Sequence, residues 1–448
     1  MVKSKKSQKA ECAVCEHKHI FKMPDEIIEA AKKEELVIFA GAGVSTEAPS
    51  VFKNSLYEEI KDELRIRPNQ KISFSKLMSR FCTQRDGRRK LLNKIKERFD
   101  YIISFPELYR NASRFHKQLS TIPQIKEIVT TNWDDLFEKE CGAVPIVSPE
   151  DFVFWNNPGR KVLKVHGSIN HYGTIIITEE DYKKCYKKLR DGLIGSYLKT
   201  ILATKKILFI GYSFGDEDFN KIYSVLGSEM KNLIPNAYLI TTDKEAKEKF
   251  DKINLTTIIT DAVYFIKILK KHLISEGEML SDEIFDKIPL IYELVLSEHD
   301  KLYSVLSCKK NPEIIFSACY QDGLLHALER IMARKNTGEY SDENKLMNII
   351  WSYKQIRKDK LKMKQYDDVA YIDGYINGQL FLLSDSTERK KISLYYIFGV
   401  KKPIQTIKDY LILSKSKSVL HKASYEFAKK YTQDYSEGLV FHHRPFIW

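Results

Sequence analysis

The stretch LVIFAGAGVSTEAP, residues 36–49, joins an uninterrupted apolar run to a cluster of glycines and small hydroxyl residues. An apolar run without polar alternation is typical of a strand that is buried on both faces. Glycines directly after such a strand fit a tight turn, and they fit equally well a loop whose backbone amides approach a phosphate group. The stretch is neither a complete G-x-G-x-x-G fingerprint nor a G-x-x-x-x-G-K-S/T loop, so it leaves both explanations open.

The sequence that follows repeats the same strand-then-helix pattern. An apolar run precedes a polar or helical segment in KEIVTTNWDDLFEKE (126–140), KVLKVHGSI (161–169), KKILFIGYSFGDEDFNKIYSVL (205–226), NAYLITTDKEAKEKF (236–250) and TTIITDAVYFIKILKKHL (256–273). Such alternation predicts an α/β fold, a Rossmann-like parallel sheet with helices on both faces. We expect this domain at about 21–275, after a polar lead at 1–20, with a helical insertion at about 53–120.

The character of the chain changes after about residue 280. Long segments with three- and four-residue apolar spacing replace the strand-then-helix pattern, and they are rich in aromatic residues. No chemical motif accompanies them. The sequence therefore predicts a second domain at 280–448 that is mostly α-helical and serves in assembly or regulation.

Charge, hydropathy and cysteine usage restrict the class of protein. The 448-residue chain carries a formal net charge of +13, but its basic residues are interleaved with acidic ones, which favours a solvated basic surface. Nucleic-acid binding stays an alternative without a supporting motif. No apolar run approaches the roughly 20 residues that span a bilayer, and seven scattered cysteines indicate reduced thiols. We therefore expect a cytoplasmic protein that makes no membrane contact.

Chemically active residues follow the predicted strands. Carboxyl ends of parallel strands meet at one edge of the sheet, where open α/β sheets bind ligands. Glycines, small hydroxyls, an amide, carboxylates and an imidazole occupy the segments 41–46, 131–134, 166–168, 211–216 and 241–243. A purely structural edge would not need Asn132 or His166 among its glycines, so the pattern predicts a ligand site.

Together these segments resemble the sirtuin family, and more closely its bacterial sirtuin-like branch that consumes NAD⁺ in anti-phage defence. The resemblance covers about residues 30–275. The matching stretches occur in the family's order, as FAGAGVS (39–45), FHKQL (115–119), VTTNWDDLFE (129–138), VLKVHGSI (162–169) and FIGYSFGDEDF (209–219).

The resemblance implies that NAD⁺ is the substrate, and it assigns roles to the matching residues. It places Asn132 and Asp134 at the nicotinamide ribose and amide, and it makes His166 the general base. A histidine whose pKa is near ~6.5 suits proton transfer at neutral pH. The residues that it implies for NAD⁺ binding are Ala40, Gly41, Ala42, Gly43, Val44, Ser45, Thr131, Gly211, Tyr212, Ser213 and Thr241.

Two departures from the deacylating sirtuins bear on the reaction. Those enzymes continue the first loop with a Gly-Ile-Pro-Asp-Phe-Arg-type segment, where this chain has TEAPSVFKN (46–54). They also carry a four-cysteine zinc module after the catalytic histidine, where this chain has Cys185 alone. Water is then the expected acceptor, and no metal is expected. Cys12 and Cys15, in CAVCEHKH (12–19), could belong to a metal site. The short spacing between the cysteines and histidines of this stretch disfavours a single tetrahedral site.

The expected activity is therefore that of an NAD⁺ glycohydrolase, a gated effector that depletes cellular NAD⁺ and causes abortive infection. An NAD-dependent protein deacylase and a non-catalytic module that senses NAD⁺ or ADP-ribose are the alternatives. By analogy with the defence branch, we expect a homo-oligomer and an activating or regulatory partner protein encoded nearby.

Overall fold

The computed structural model describes residues 19–45, 51–67, 69–157, 159–212, 237–244, 255–385, 392–416, 418–433 and 440–446. The chain divides into two compact units, Met1–Glu276 and Gly277–Trp448. The segments that contain Cys12, Cys15, Ser213 and Asp216 lie outside the described residues.

The first unit is built on a seven-stranded sheet in which every described pair of strands is parallel. All residues of β1 are buried, as expected for an apolar run that is covered on both faces. The strands are β1 Leu36–Ala40, β2 Glu127–Thr130, β3 Val144–Ile146, β4 Lys161–Lys164, β5 Lys206–Ile210, β6 Ala237–Thr241 and β7 Leu255–Ile259. Their spatial order is β3-β4-β2-β1-β5-β6-β7. The predicted Rossmann-like parallel sheet is confirmed.

The strand order places a ligand crevice at β1. β1 lies between β2 and β5, so the direction in which the chain builds the sheet changes there. Open α/β sheets bind ligands at such a point, outside the carboxyl ends of the strands. The pairing register aligns Ala40 with Thr130 and Ile210, and Thr130 with Lys164. The residues just after these four define the carboxyl edge of the sheet.

Helices of the first unit connect these strands. They are α1 Asp25–Lys32, α2 Leu56–Glu63, α3 Phe74–Cys82, α4 Gly87–Ser104, α5 Pro106–Ser120, α6 Leu136–Cys141, α7 Glu179–Asp191, α8 Leu193–Thr204 and α9 Ala262–Ser275. Between β1 and β2 the chain forms α2 to α5, which confirms the helical insertion. Its core consists of side chains such as Leu77, Phe81 and Leu91, which are fully buried.

Two details of the strand prediction differ from the structure. β3 was not predicted, because it is only three residues long and contains Pro145, which cannot donate a ladder hydrogen bond and is tolerated at a sheet edge. β4 ends at Lys164, whereas the apolar run KVLKV extends to Val165. The chain turns away at Gly167, whose φ of +84° favours glycine.

The regular secondary structure in the described part of the second unit is helical, apart from an isolated bridge between Tyr395 and Ile404. Its helices are α10 Asp282–Phe285, α11 Ile288–Val305, α12 Ile314–Arg334, α13 Glu343–Lys362, α14 Tyr366–Leu383, α15 Ile407–Ser414 and α16 Lys422–Tyr431. α12 and α14 pack backbone to backbone, since a Cβ atom on Gly374 would lie 1.9 Å from the Tyr320 carbonyl oxygen. Within the described ranges, no helix combines the length and the apolar character that crossing a membrane requires.

Candidate active site

The glycine loop after β1 packs against the loop after β5. A Cβ atom on Gly41 would lie 2.7 Å from the Gly211 carbonyl oxygen, and one on Gly43 would lie 2.9 Å from the same atom. Real Cβ atoms do not approach so closely, so both positions need glycine for the two loops to meet. Gly211 has a φ of +77°, a backbone conformation that favours glycine. Loop packing is thus a sufficient structural reason for these glycines.

Most backbone amides of this loop already donate hydrogen bonds within the protein. Gly41 N donates to Ile210 O at 2.8 Å, Gly43 N donates to Gly211 O at 3.0 Å, and Ser45 N donates to Ala42 O at 3.1 Å. The amide of Ala42 has no acceptor in the described part of the chain. The expectation that the loop holds a pyrophosphate therefore depends on Ala42 N–H and on the exposed Gly43, and it stays a prediction.

A buried polar cluster lies beside this loop, at the carboxyl edge between β1 and β2. Ser45, Asn132 and Asp134 are at most 5% exposed. The Ser45 hydroxyl donates to Asp134 Oδ2 at 2.8 Å, and Asn132 Nδ2 donates to Ser45 Oγ at 3.1 Å and to Gly41 O at 3.2 Å. Two segments that are distant in sequence, 41–45 and 132–134, thus converge on one hydrogen-bond network.

Asn132 contributes one polar atom that this network does not use. Its Oδ1 is buried and has no hydrogen-bond partner among the described residues. A buried polar atom without a partner costs free energy and needs an explanation. An amide oxygen in this position can accept a hydrogen bond from a ligand hydroxyl, amide or water.

Asp134 has a positioning role in this geometry. Its Oδ1 accepts a hydrogen bond from Leu136 N at 3.2 Å, at the start of α6, while Oδ2 accepts from Ser45. The carboxylate therefore holds the glycine loop and α6 together. Direct contact between Asp134 and a substrate stays a prediction.

Tyr212 and Thr131 join the ends of three strands. The Tyr212 hydroxyl donates to Ala40 O at 3.2 Å and lies 3.1 Å from Thr131 Oγ1, which gives both residues a structural reason for their positions. At β6, Thr241 Oγ1 accepts from Asp243 N at 3.1 Å. Val44 is buried, and its side chain lies where a Cβ atom on Gly211 would fall.

His166 follows β4 at the same edge, and it is 2% exposed. Its ring packs edge-on against Tyr182, with a distance of 5.2 Å between ring centroids, and its carbonyl oxygen accepts from Ile176 N at 3.0 Å. The register that pairs Thr130 with Lys164 brings His166 and Asn132 to equivalent places, two residues beyond the paired strands. The structure thus brings the two residues to the same edge.

Lys164 is a functional candidate that the sequence reasoning missed. Its side chain is fully buried, and its Nζ donates to Glu138 Oε1 at 2.9 Å and to the carbonyl oxygens of Asp134 and Trp133. Burial is the largest effect on Glu138 and raises the pKa of its carboxyl, while the Lys164 ammonium opposes that shift. A lysine inside the apolar strand KVLK was the available signal. This ammonium fixes the segment that carries Asn132 and Asp134.

A small cleft opens next to Asp134. Its volume is about 170 Å³, and residues of α4 line it together with residues of the segments that follow β2 and β4. Its wall is partly charged, with Lys96 and Asp135, and partly apolar, with Ile102 and Tyr172.

His116, in the stretch FHKQL, is buried behind this cluster. It is fully buried, neither ring nitrogen has a hydrogen-bond partner among the described residues, and its ring packs edge-on against Phe137 at 4.4 Å. Burial lowers the pKa of His116 to about 4. No role is predicted for His116 from the sequence. The structure places it in the core as a neutral imidazole.

The depressed pKa of His116 predicts that the protein is less stable in acid. Between pH ~6.5 and ~4 the unfolded chain binds a proton at this position and the folded chain does not, so stability falls as the pH falls, by up to about 3 kcal/mol. We expect His116→Leu to remove this part of the pH dependence in urea unfolding. The exposed His171 gives the matched control His171→Gln, which should keep the wild-type dependence. Equal pH dependence in wild type and His116→Leu would contradict the assignment.

Cys185 packs into the core below the sheet. It is 5% exposed, and its thiol donates to Val165 O at 3.7 Å. The one cysteine between His166 and Lys206 therefore has a packing role.

Comparisons with known proteins relate part of the chain to the SIR2-like domain. Residues 126–259 match the model of the SIR2-like domain. A protein named NAD(+) hydrolase ThsA from Cytobacillus dafuensis is 30% identical over 243 residues, 50% of this chain and 47% of that protein. The NAD(+) hydrolase ThsA of Enterococcus faecium is 31% identical over 202 residues, 44% of this chain and 41% of its own. Defense-associated sirtuin 2 of Bacillus subtilis is 27% identical over 228 residues, 49% of this chain and 22% of its own. The chain thus spans about half the length, or less, of these curated relatives.

Proposed function

We propose, from the SIR2-like domain that this chain contains, that the protein hydrolyses NAD⁺ to nicotinamide and ADP-ribose. One observation carries the proposal. Asn132 presents a buried amide oxygen without a partner among the described residues, and it lies at the same sheet edge as His166 and the glycine loop. That edge is where a parallel sheet binds a dinucleotide.

The residues at this edge fit the chemistry of glycosidic cleavage. The bond between the nicotinamide nitrogen and the ribose carbon breaks, and its electron pair leaves with nicotinamide. The ribose develops oxocarbenium character, as in glycoside hydrolysis. Water adds to the ribose carbon, and the proton that it loses passes to His166 as general base. Asn132 Oδ1 accepts a hydrogen bond from the nicotinamide amide, a ribose hydroxyl or the water.

The remaining binding residues follow the strand order. The pyrophosphate lies at the glycine loop, where Ala42 is half-buried and Gly43 is exposed, and the adenosine half lies toward Gly211 and Thr241. Asp134 and Lys164 contribute indirectly, because they hold Ser45 and the segment after β2 in place. We therefore expect that replacement of Asp134 lowers the rate of NAD⁺ hydrolysis because Ser45 loses its hydrogen-bond acceptor.

Protein deacylation is the second candidate reaction, and a non-catalytic sensing module is the third. The buried position of Cys185 supports hydrolysis over deacylation, since a zinc module needs four ligands and this thiol faces the core. A sensing module would bind NAD⁺ or ADP-ribose without turnover, and it would not require a buried imidazole beside the amide.

The biological role follows from the relatives' names. Two of the similar proteins are named NAD(+) hydrolases and a third is named a defence-associated sirtuin. We extend that role to this chain, as a cytoplasmic effector of anti-phage defence that depletes NAD⁺ when a signal releases it. Such an activity harms its own cell, so a resting state is expected. Homo-oligomerisation, and an activating or regulatory partner encoded nearby, are the proposed means of control.

The experiment that tests this function incubates the purified full chain with NAD⁺ and resolves nicotinamide and ADP-ribose by chromatography. We expect nicotinamide release without any peptide, and an unchanged rate when an acetyl-lysine peptide is added. The assay is run over a range of protein concentrations and with lysate from phage-infected cells, since a gated enzyme is silent at rest. Release that depends on the peptide would favour deacylation, and binding of NAD⁺ without release under all conditions would favour the sensing module.

A further inference from the structure

Two histidines and an aspartate meet within the second unit, at sequence positions outside the residues 30–275 that the sirtuin resemblance covers. His299 lies on α11, Asp322 lies on α12, and His442 belongs to the segment 440–446. Each side chain offers one ligand atom, and these atoms all lie within 4.8 Å of one another. Asp322 Oδ1 and His442 Nδ1 are 3.2 Å apart. The cluster therefore joins two helices and a segment that is remote from them in sequence.

The orientation of His299 leaves a nitrogen lone pair in the core. The Gln321 amide is fixed by its Nε2, which donates to Leu394 O at 2.9 Å, so its Oε1 is the atom that faces His299. His299 Nδ1 lies 3.1 Å from this oxygen and acts as the donor. His299 Nε2 is then the unprotonated nitrogen. The residue is 4% exposed, and Nε2 has no hydrogen-bond partner among the described residues.

This arrangement is the one that metal-binding histidines adopt. A ligating imidazole commonly donates its other N–H to a carbonyl or carboxylate oxygen, which fixes the ring and its tautomer. Gln321 supplies that oxygen to His299. A buried imidazole nitrogen with a lone pair and no partner is costly unless something else binds it.

Asp322 is oriented in the same manner. It is 4% exposed in the middle of α12, and its Oδ2 accepts a hydrogen bond from the backbone amide of His443 at 2.7 Å. This bond leaves Oδ1 free to face His442. A buried carboxylate requires a positive or donor group nearby, and here His442 Nδ1 faces Oδ1 while the His443 amide donates to Oδ2.

A second group of acidic and histidine side chains in this unit is excluded as a metal site. Asp367, Asp368 and His443 also lie close enough to share an ion. However, the Lys360 ammonium lies 2.9 Å from Asp368 Oδ2, and His443 Nε2 lies 3.0 Å from Asp368 Oδ1. The Lys360 ammonium already compensates the Asp368 carboxylate, and it would repel a bound cation. The cluster is an ion-pair network and carries no proposal.

We propose that His299, Asp322 and His442 bind a divalent transition-metal ion, with Zn²⁺ as the expected occupant. Two imidazoles and one carboxylate suit Zn²⁺, which accepts three protein ligands and a water in tetrahedral geometry. Ligand atoms about 2.0–2.2 Å from the ion lie roughly 3.3–3.5 Å from each other in such a site. The observed separation of 3.2 Å between Asp322 Oδ1 and His442 Nδ1 is close to that value. The side chain of His442 is 62% exposed, which leaves the fourth position open to solvent.

The ion would fasten the segment 440–446 to the helices of the second unit. Without it, this attachment depends on contacts such as the Tyr303 hydroxyl with Phe441 and Asp322 with His443 N. Binding of a metal to the folded state alone stabilises that state. We therefore expect zinc to protect this segment from proteases.

The test measures zinc binding by the full chain in which Cys12 and Cys15 are replaced by serine, so that the cysteine-rich N-terminus does not contribute. The protein is stripped with EDTA and then titrated with Zn²⁺ against a chromophoric chelator, and Co²⁺ is used as a spectroscopic probe of nitrogen and oxygen ligation. Variants are His299→Gln and His442→Ala. The matched control is His326→Gln. His326 is half-buried, lies one helical turn after Asp322 on α12, and forms a hydrogen bond with the Tyr371 hydroxyl. Because His442 is largely exposed, its replacement leaves the core intact.

We expect about one zinc ion per chain in the Cys12→Ser/Cys15→Ser protein and in His326→Gln, with affinity about 100-fold or more weaker in both ligand variants. Zinc should also slow chymotryptic cleavage within 440–446 in the Cys12→Ser/Cys15→Ser protein, but not in His442→Ala. Absence of zinc binding in the Cys12→Ser/Cys15→Ser protein would overturn the proposal, because the cluster would then be only a histidine–aspartate hydrogen bond. Equal affinity in the Cys12→Ser/Cys15→Ser protein and His442→Ala would overturn it as well.

Discussion

Replacement of His166 by alanine is expected to lower kcat for nicotinamide release by about 10²–10⁴-fold, the usual contribution of a positioned general base. The KM for NAD⁺ should change little, because the ring acts on the water and not on the dinucleotide. His166 is 2% exposed and its ring packs against Tyr182, so its neighbours hold the ring in one orientation. Initial rates with a fluorescent NAD⁺ analogue, at a protein concentration that activates the wild type, measure both constants.

The control for this variant lies on the same loop. His171 is exposed, and its alanine variant should keep the wild-type rate. Circular dichroism and NAD⁺ binding show that both variants are folded. A folded His166→Ala protein with a rate near that of the wild type would show that His166 is not the general base. The proposed hydrolysis would then still be tested separately, by identifying the products.

The second large effect is expected at Lys164. Lys164→Met removes a fully buried ammonium from Glu138 and from two backbone carbonyls. Breaking a buried ion pair by removal of one partner costs about 3–5 kcal/mol, because the other charge is left without compensation. We expect a loss of this size in the free energy of unfolding in urea. Activity should fall too, because the carbonyl oxygens of Trp133 and Asp134 lose the group that fixes them.

A double variant separates charge from packing at this position. In Lys164→Met/Glu138→Leu no buried carboxylate is left unpaired, so much of the lost stability should return. Activity should stay low in the double variant, since the segment after β2 still lacks its anchor. Wild-type stability in Lys164→Met alone would contradict the buried ion pair.

The sheet could be predicted from the sequence because its strands are buried on both faces. Runs such as LVIFA at 36–40 and KILFI at 206–210 leave no helical or alternating interpretation, and each is followed by a glycine turn. β3 could not be predicted, because three residues with a central Pro145 carry no periodicity. The helices of the second unit follow from their apolar spacing, but the meeting of His299 with His442 depends on tertiary contacts that no local pattern encodes.

The sequence could predict that the candidate residues share one edge of the sheet, and their contacts with a substrate stay predictions. The carboxyl ends of parallel strands must share an edge, and the register brings Asn132 and His166 there. The sequence could not show which hydrogen bonds and packing contacts each of these groups makes within the protein. The Asp134 carboxylate is engaged by Ser45 and Leu136 N, and the glycines at 41 and 43 are required by the loop after β5. These roles depend on contacts between segments far apart in sequence.

The proposed hydrolysis of NAD⁺ can be tested by running the reaction in water enriched in heavy oxygen. Mass spectrometry of the products then shows which product carries the labelled oxygen. Hydrolysis predicts free nicotinamide without label and ADP-ribose that carries one labelled oxygen at the ribose carbon released from nicotinamide. NAD⁺ that stays intact under every activating condition, or release only as an acyl-ADP-ribose when an acylated peptide is present, would contradict it.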